Sequence, residues 1–186
     1  MLSQYLKDNT KESHQKVEGT ILRKLKKIST EEDYEQFLKS FYAYFKAVET
    51  ETYKYISINV LPDIHRRRNA SYIKNDIDSL GGNVHSLPSA AAVPVQSTLE
   101  ALSSLYVLEG SILGGPYIVQ LLKKQGITRG FSFFEGYGEQ SSMMWTSFIN
   151  VLNDYGKDSA DYVLASEIAN RTFLQFEHVF LENPTL

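Results

Sequence analysis

Apolar side chains recur every three or four residues from Leu6 to Leu181, and nowhere do they alternate in the two-residue rhythm of a strand. That spacing gathers them on one side of a helix and gives a sheet no face to bury, so the core must be built from helices. The clearest stretch is Tyr34, Phe37, Leu38, Phe41, Tyr42, Phe45 and Val48. Preceded by the start signal Thr30-Glu31-Glu32-Asp33, it predicts a helix reaching Tyr55, with its aromatic stripe as core. Leu6, Val17, Ile21, Leu22 and Leu25 predict an earlier helix from Ser3, a good N-cap, to Lys27.

A third helix is expected over 63–80, closed by Gly81-Gly82 and followed by a loop rich in Ser, Ala and Pro as far as Pro94. A fourth runs from Pro94 to Gln125 and stops at Gly126. Beyond a loop through Gly130, Gly136 and Gly138, a fifth is expected over 140–153 and a sixth over 159–181. No internal repeat appears and no loop is long enough to link domains. The expectation is an all-α, single-domain helical bundle spanning 1–186.

Composition narrows the functions open to such a bundle. A chain of 186 residues, 42% hydrophobic, suffices for one core, and a net charge of -3 gives no general attraction to nucleic acid or to an anionic membrane. The absence of cysteine excludes disulfides, thiolate metal sites, iron–sulfur ligation and a cysteine nucleophile, and fits a reducing cytoplasm. The N-terminus turns polar at once, and no later stretch approaches the roughly 18 apolar residues of a membrane span, so a cytoplasmic protein is expected.

Two features carry chemistry. Lys7, Lys11, His14 and Glu18 follow one another at offsets of four, three and four, which lines them along one helix face beside the apolar stripe. His14 could look into a pocket there, with Glu18 accepting from its second ring nitrogen; an ordinary solvated face is the other reading. The second feature is Glu109-Gly110-Ser111-Ile112-Leu113-Gly114-Gly115-Pro116, in the middle of the fourth helix. Three glycines at about 1 kcal/mol each and a proline at about 3 kcal/mol make straight helix unfavourable there, so the helix should bend. Gly110 and Gly114, four apart, would share a face, either for close helix packing or to leave backbone bare for a ligand. Together the two features suggest a flat cofactor clamped between helices. The run Arg66-Arg67-Arg68 reads as a solvated face, and His65, His85 and His178 carry no ligand pattern.

The stretch 2–18, with its core Thr10-Lys11-Glu12-Ser13-His14-Gln15-Lys16-Val17-Glu18, resembles the first helix of the haem oxygenases. Leu61-Pro62-Asp63-Ile64-His65-Arg66 is similar to the segment leading into that family's third helix. Tyr106-Val107-Leu108-Glu109-Gly110-Ser111-Ile112-Leu113-Gly114-Gly115 is similar to its glycine-rich distal helix, above all in bacterial members. Ala169-Asn170-Arg171-Thr172-Phe173-Leu174-Gln175-Phe176 resembles the segment whose aromatics pack at the haem edge.

The resemblance implies that His14 is the iron ligand, held by Glu18, and that Lys7 and Lys11 face the propionates. It further implies that Gly110, Gly114 and Gly115 press backbone on the distal side, with Ser111 holding a water, and that Phe173 packs against the ring. Haem b would be substrate and cofactor at once, cleaved with O2 to biliverdin, carbon monoxide and ferrous iron. The chain carries no flavin or nicotinamide fingerprint, so a ferredoxin or a reductase would supply electrons, and the pigment could serve a bilin-using photoreceptor. A haem carrier or sensor of the same fold, without turnover, is the alternative. Two departures stand out: Ser111 takes the place of an aspartate found in animal members, and Ile149 and Asn150 occupy the region where those enzymes bring an arginine to a propionate.

Overall fold

The computed structural model describes residues 1–182. Among them there are nine α-helices and no strand: α1 (Leu2–Asn9), α2 (Lys11–Leu25), α3 (Glu31–Thr52), α4 (Ala70–Ser79), α5 (Thr98–Gly110), α6 (Gly115–Lys124), α7 (Ser132–Glu135), α8 (Ser141–Tyr155) and α9 (Ser159–Leu181). Side-chain caps set several starts. Thr30 and Asp33 cap each other's backbone amides at the head of α3, and Asn69, Ser97 and Asp158 accept from the first-turn amides of α4, α5 and α9.

The aromatic stripe of α3 is the centre of the molecule. Phe41 packs against Phe134 and Phe176 with ring centroids 5.1 Å apart, and against Phe180 at 5.4 Å. α7 is a single turn, set within the expected loop, whose Phe133 and Phe134 are buried in this cluster. Each fully buried phenylalanine contributes roughly 1.5–3 kcal/mol. Asp76 of α4 pins the start of that turn by accepting from the Ser132 and Phe133 amides at 2.9 and 2.8 Å.

Three expected helices are divided or shortened. The first breaks at Thr10, and the fourth gives way to a 3₁₀ turn over Ser111–Gly114. The third begins only at Ala70, because 64–66 forms a separate 3₁₀ turn and Arg67 is extended, with φ -79° and ψ 144°. The span Thr98–Lys124 is, by length and mean hydropathy of 1.3, apolar enough to cross a membrane, which corrects the expectation that no stretch comes near this. The 3₁₀ turn interrupts it, and Leu99, Ala101, Leu102, Leu105, Val107 and Leu108 are buried in the bundle, as in a core helix.

Candidate active site

α9 packs along both α2 and α5, so it joins the helix bearing His14 to the one ending in the glycine turn. The break at Thr10 carries two side chains bonded back to their own helix. Asn9 Nδ2 donates to the Tyr5 carbonyl and Thr10 Oγ1 to the Leu6 carbonyl, at 2.9 and 2.7 Å, but Asn170 and Thr172 bond back in the same way inside unbroken α9, so these bonds accompany the break and do not suffice to make it. Lys11, His14 and Glu18 therefore share α2, whereas Lys7 belongs to α1; both lysines are exposed. The His14 imidazole is half exposed, its Nε2 lies 3.5 Å from Glu18 Oε1, and Phe173 of α9 meets it edge-on with centroids 5.4 Å apart.

The three glycines of the bend have three different surroundings. A Cβ on Gly110 would touch the Trp145 ring of α8 at 3.6 Å, and one on Gly115 would lie 1.9 Å from the Phe134 carbonyl oxygen, so Gly115 is turned into the protein. A Cβ on Gly114 would meet nothing within 4 Å. Four residues through a 3₁₀ turn, at three per turn, do not return to one face, which is why Gly110 and Gly114 do not share one. Beside Gly114, Leu113 and Tyr117 are each 59% exposed, an uncovered apolar surface.

Sequence reasoning missed what fixes the bend. Arg67 and Arg68, expected to be solvated, are only 2% and 6% exposed. Arg68 Nη2 donates to Leu108 O at 3.1 Å and to Ser111 Oγ at 2.7 Å, Nη1 donates to Phe133 O at 2.9 Å, and the guanidinium lies 4.0 Å from the Phe133 ring centroid. Ser111 Oγ itself donates to Leu108 O at 2.6 Å. Arg67 forks onto Asp63, with Nε–Oδ1 and Nη2–Oδ2 at 2.7 and 2.8 Å, and reaches Glu109 Oε2 at 2.6 Å. Burial works against the charge on Arg67, but Glu109 and Asp63 outweigh it and hold the group above its ordinary value. Burial dominates at Glu109 and raises its carboxyl pKa against the pull of both arginines. Glu109 itself was the available signal: an acidic residue in an apolar helix needs a buried cation, and the arginine run could supply one.

Among the described residues no cluster of His, Asp and Glu could hold a bare metal ion. A half-exposed imidazole beside a carboxylate could hold a metal that arrives within a cofactor, and the surface at Leu113, Gly114 and Tyr117 is separately open and apolar.

No curated protein sequence matches the chain. Among solved structures it is similar to the NO- and CO-bound haem oxygenase of Neisseria meningitidis, with TM-score 0.84 and 20% identity over 98% of this chain and 91% of that one. It is also similar to haem oxygenase-1 of the cyanobacterium Synechocystis in complex with haem, with TM-score 0.77 and 19% identity over 97% and 91% of the two chains. The haem oxygenase of Leptospira interrogans gives TM-score 0.75 and 18% identity over 98% and 99%. Likeness at such identities carries the fold alone. The family model described as "Heme oxygenase" matches residues 1–182, nearly the whole chain, and with this match the bundle, the broken first helix and the glycine bend are those of a member of the haem oxygenase family.

Proposed function

We propose that the protein binds haem through His14 and degrades it oxidatively to biliverdin, carbon monoxide and ferrous iron, with electrons from an external ferredoxin or reductase. The observation that carries the reading is the His14 imidazole, flanked by Glu18 and Phe173 and still half exposed. Bound haem supplies the iron chemistry that activates oxygen against its own ring. The protein's part is to hold and orient. Glu18 Oε1 stands 3.5 Å from Nε2, too far for a hydrogen bond but near enough that closing the gap on haem binding would let it accept from a ring N–H and fix the imidazole, against which Phe173 packs.

Leu113 and Tyr117 offer apolar cover on the distal side, and the backbone at Gly114 allows close approach. Ser111 gives its own proton to Leu108 O and takes one N–H from Arg68, so it keeps a lone pair that can accept from a water but has no proton left to donate. A water on Ser111 would thus give one proton to the serine oxygen and keep the other for a second partner. Lys7 and Lys11 remain exposed and can meet propionates.

Haem titration followed by reduction under oxygen tests the proposal. The parent is expected to bind about one haem with a histidine-type spectrum and to yield biliverdin, and His14→Ala to lose both. Retention of the iron–histidine Raman band in His14→Ala would refute the ligand, and a haem-loaded parent that forms no pigment would leave a carrier or sensor. Loss of Lys7 and Lys11 together should weaken haem binding or change the biliverdin isomer; exposed ion pairs are worth about 0–1 kcal/mol each.

A further inference from the structure

Asn170 stands where α9 meets the break between α1 and α2. Among the described residues the Ser13 amide does not bond to the Asn9 carbonyl, its helical partner, and regular bonding resumes when the His14 amide takes the Thr10 carbonyl at 2.9 Å. Asn170 supplies the missing partner from outside. Its Nδ2 donates to the Asn9 carbonyl at 3.0 Å and to the Ser166 carbonyl of its own helix at 2.9 Å, while its Oδ1 accepts from Ser13 Oγ at 2.6 Å. One side chain thus holds the last residue of α1 and the residue before His14 in α2. Three residues further along α9, Phe173 presents its edge to the imidazole.

Where the backbone ladder lapses between Asn9 and Ser13, no glycine, proline or ladder bond at that step sets the angle between α1 and α2. A group bonded to both sides of the interruption sets it. We propose that Asn170 is a positioning residue for His14: by tying Asn9 to Ser13 across the break it fixes the angle between α1 and α2, and with it the direction of the imidazole. The inference rests on the reading of His14 as the haem ligand. A residue that only packed α9 against α2 would need no donor on the one side and acceptor on the other; Asn170 uses both.

The test uses the full chain carrying Asn170→Ala, Asn170→Asp, which keeps the acceptor for Ser13 and loses the donor to Asn9, or Ser13→Ala. In the haem-free protein, exchange of the His14 amide, which bonds to the Thr10 carbonyl just past the break, should accelerate on the order of tenfold in Asn170→Ala. After haem loading and reduction, the iron–histidine Raman band of the same variant should shift or broaden, with Asn170→Asp between it and the parent. The proposal requires both changes. A folded variant in which either readout stays at the parent value overturns it, and so does a fall in Tm with neither readout moved, the mark of a residue that only packs. Should Asn170→Ala fail to fold, Ser13→Ala removes a single hydroxyl and is read in the same two ways. If the Raman band also persists in His14→Ala, the ligand reading is what has failed, and the exchange rates alone decide whether Asn170 fixes the break.

Discussion

Gly114 and Gly115 are neighbours of the same type, and what a methyl group would meet separates them. At Gly115 it would overlap the Phe134 carbonyl, so Gly115→Ala should force α6 from α7 and destabilise by about 3 kcal/mol, roughly 10 °C in Tm. At Gly114 it would enter open space. Gly114→Ala should leave the haem-free protein as stable or up to about 1 kcal/mol more so, while weakening haem binding if that surface faces the ring. Thermal melts with and without haem check both. Glu49 gives a second prediction. Burial pushes its carboxyl up to about 7 even though it accepts from the Ala70 amide at 2.6 Å. A raised carboxyl contributes stability that is present below the ordinary value near 4.5 and lost as pH rises through 7, a difference of about 3 kcal/mol. Glu49→Gln, which keeps an acceptor for Ala70, should flatten urea stability between pH 5 and 8; an equally steep decline in parent and variant would show that another group titrates.

At the scale of elements, helices with a long periodic run or a clear cap could be read from the sequence: α3 from its aromatic stripe and Thr30, α9 from its run ending at Leu181. What could not be read depended on contacts distant in the chain. α7 is four residues long, shorter than any period can register, and its place is set by Phe37, Phe41 and Asp76. The Thr10 break contains neither glycine nor proline. The arginine run was misread because a segment taken for helix is extended at Arg67, which sends two guanidinium groups inward. That Glu18 stands beside His14 was legible because the two lie one turn apart in α2, and the neighbourhood of Phe173 could be had only from the resemblance. The buried Arg67–Glu109 pair predicts that Arg67→Met, which leaves Glu109 buried without its main partner, should cost about 3–5 kcal/mol. Adding Glu109→Gln should recover part of that loss, and a double-mutant cycle by urea unfolding measures the coupling.

Across the whole molecule the central helix α3 and the outer wall that α2 forms against α9 are fastened by different means. α3 buries twelve residues, most of them apolar, whereas α2 buries Val17, Thr20 and Leu25 and is joined to α9 by polar contacts. Thr20 Oγ1 donates to Glu177 Oε1 at 2.8 Å and Lys16 Nζ lies 3.2 Å from Glu177 Oε2. Detaching a wall of this kind exposes little apolar surface, so its opening should have a small heat-capacity change and a shallow dependence on denaturant. Hydrogen exchange in rising urea should give α2 amides a slope near zero while those of α3 follow global unfolding; equal slopes would mean that the wall melts only with the core. On the proposed function, a flat and rigid ligand could then be admitted by a local opening of this wall while the aromatic centre around Phe41 stays packed, so that loading the site would not require the fold to melt.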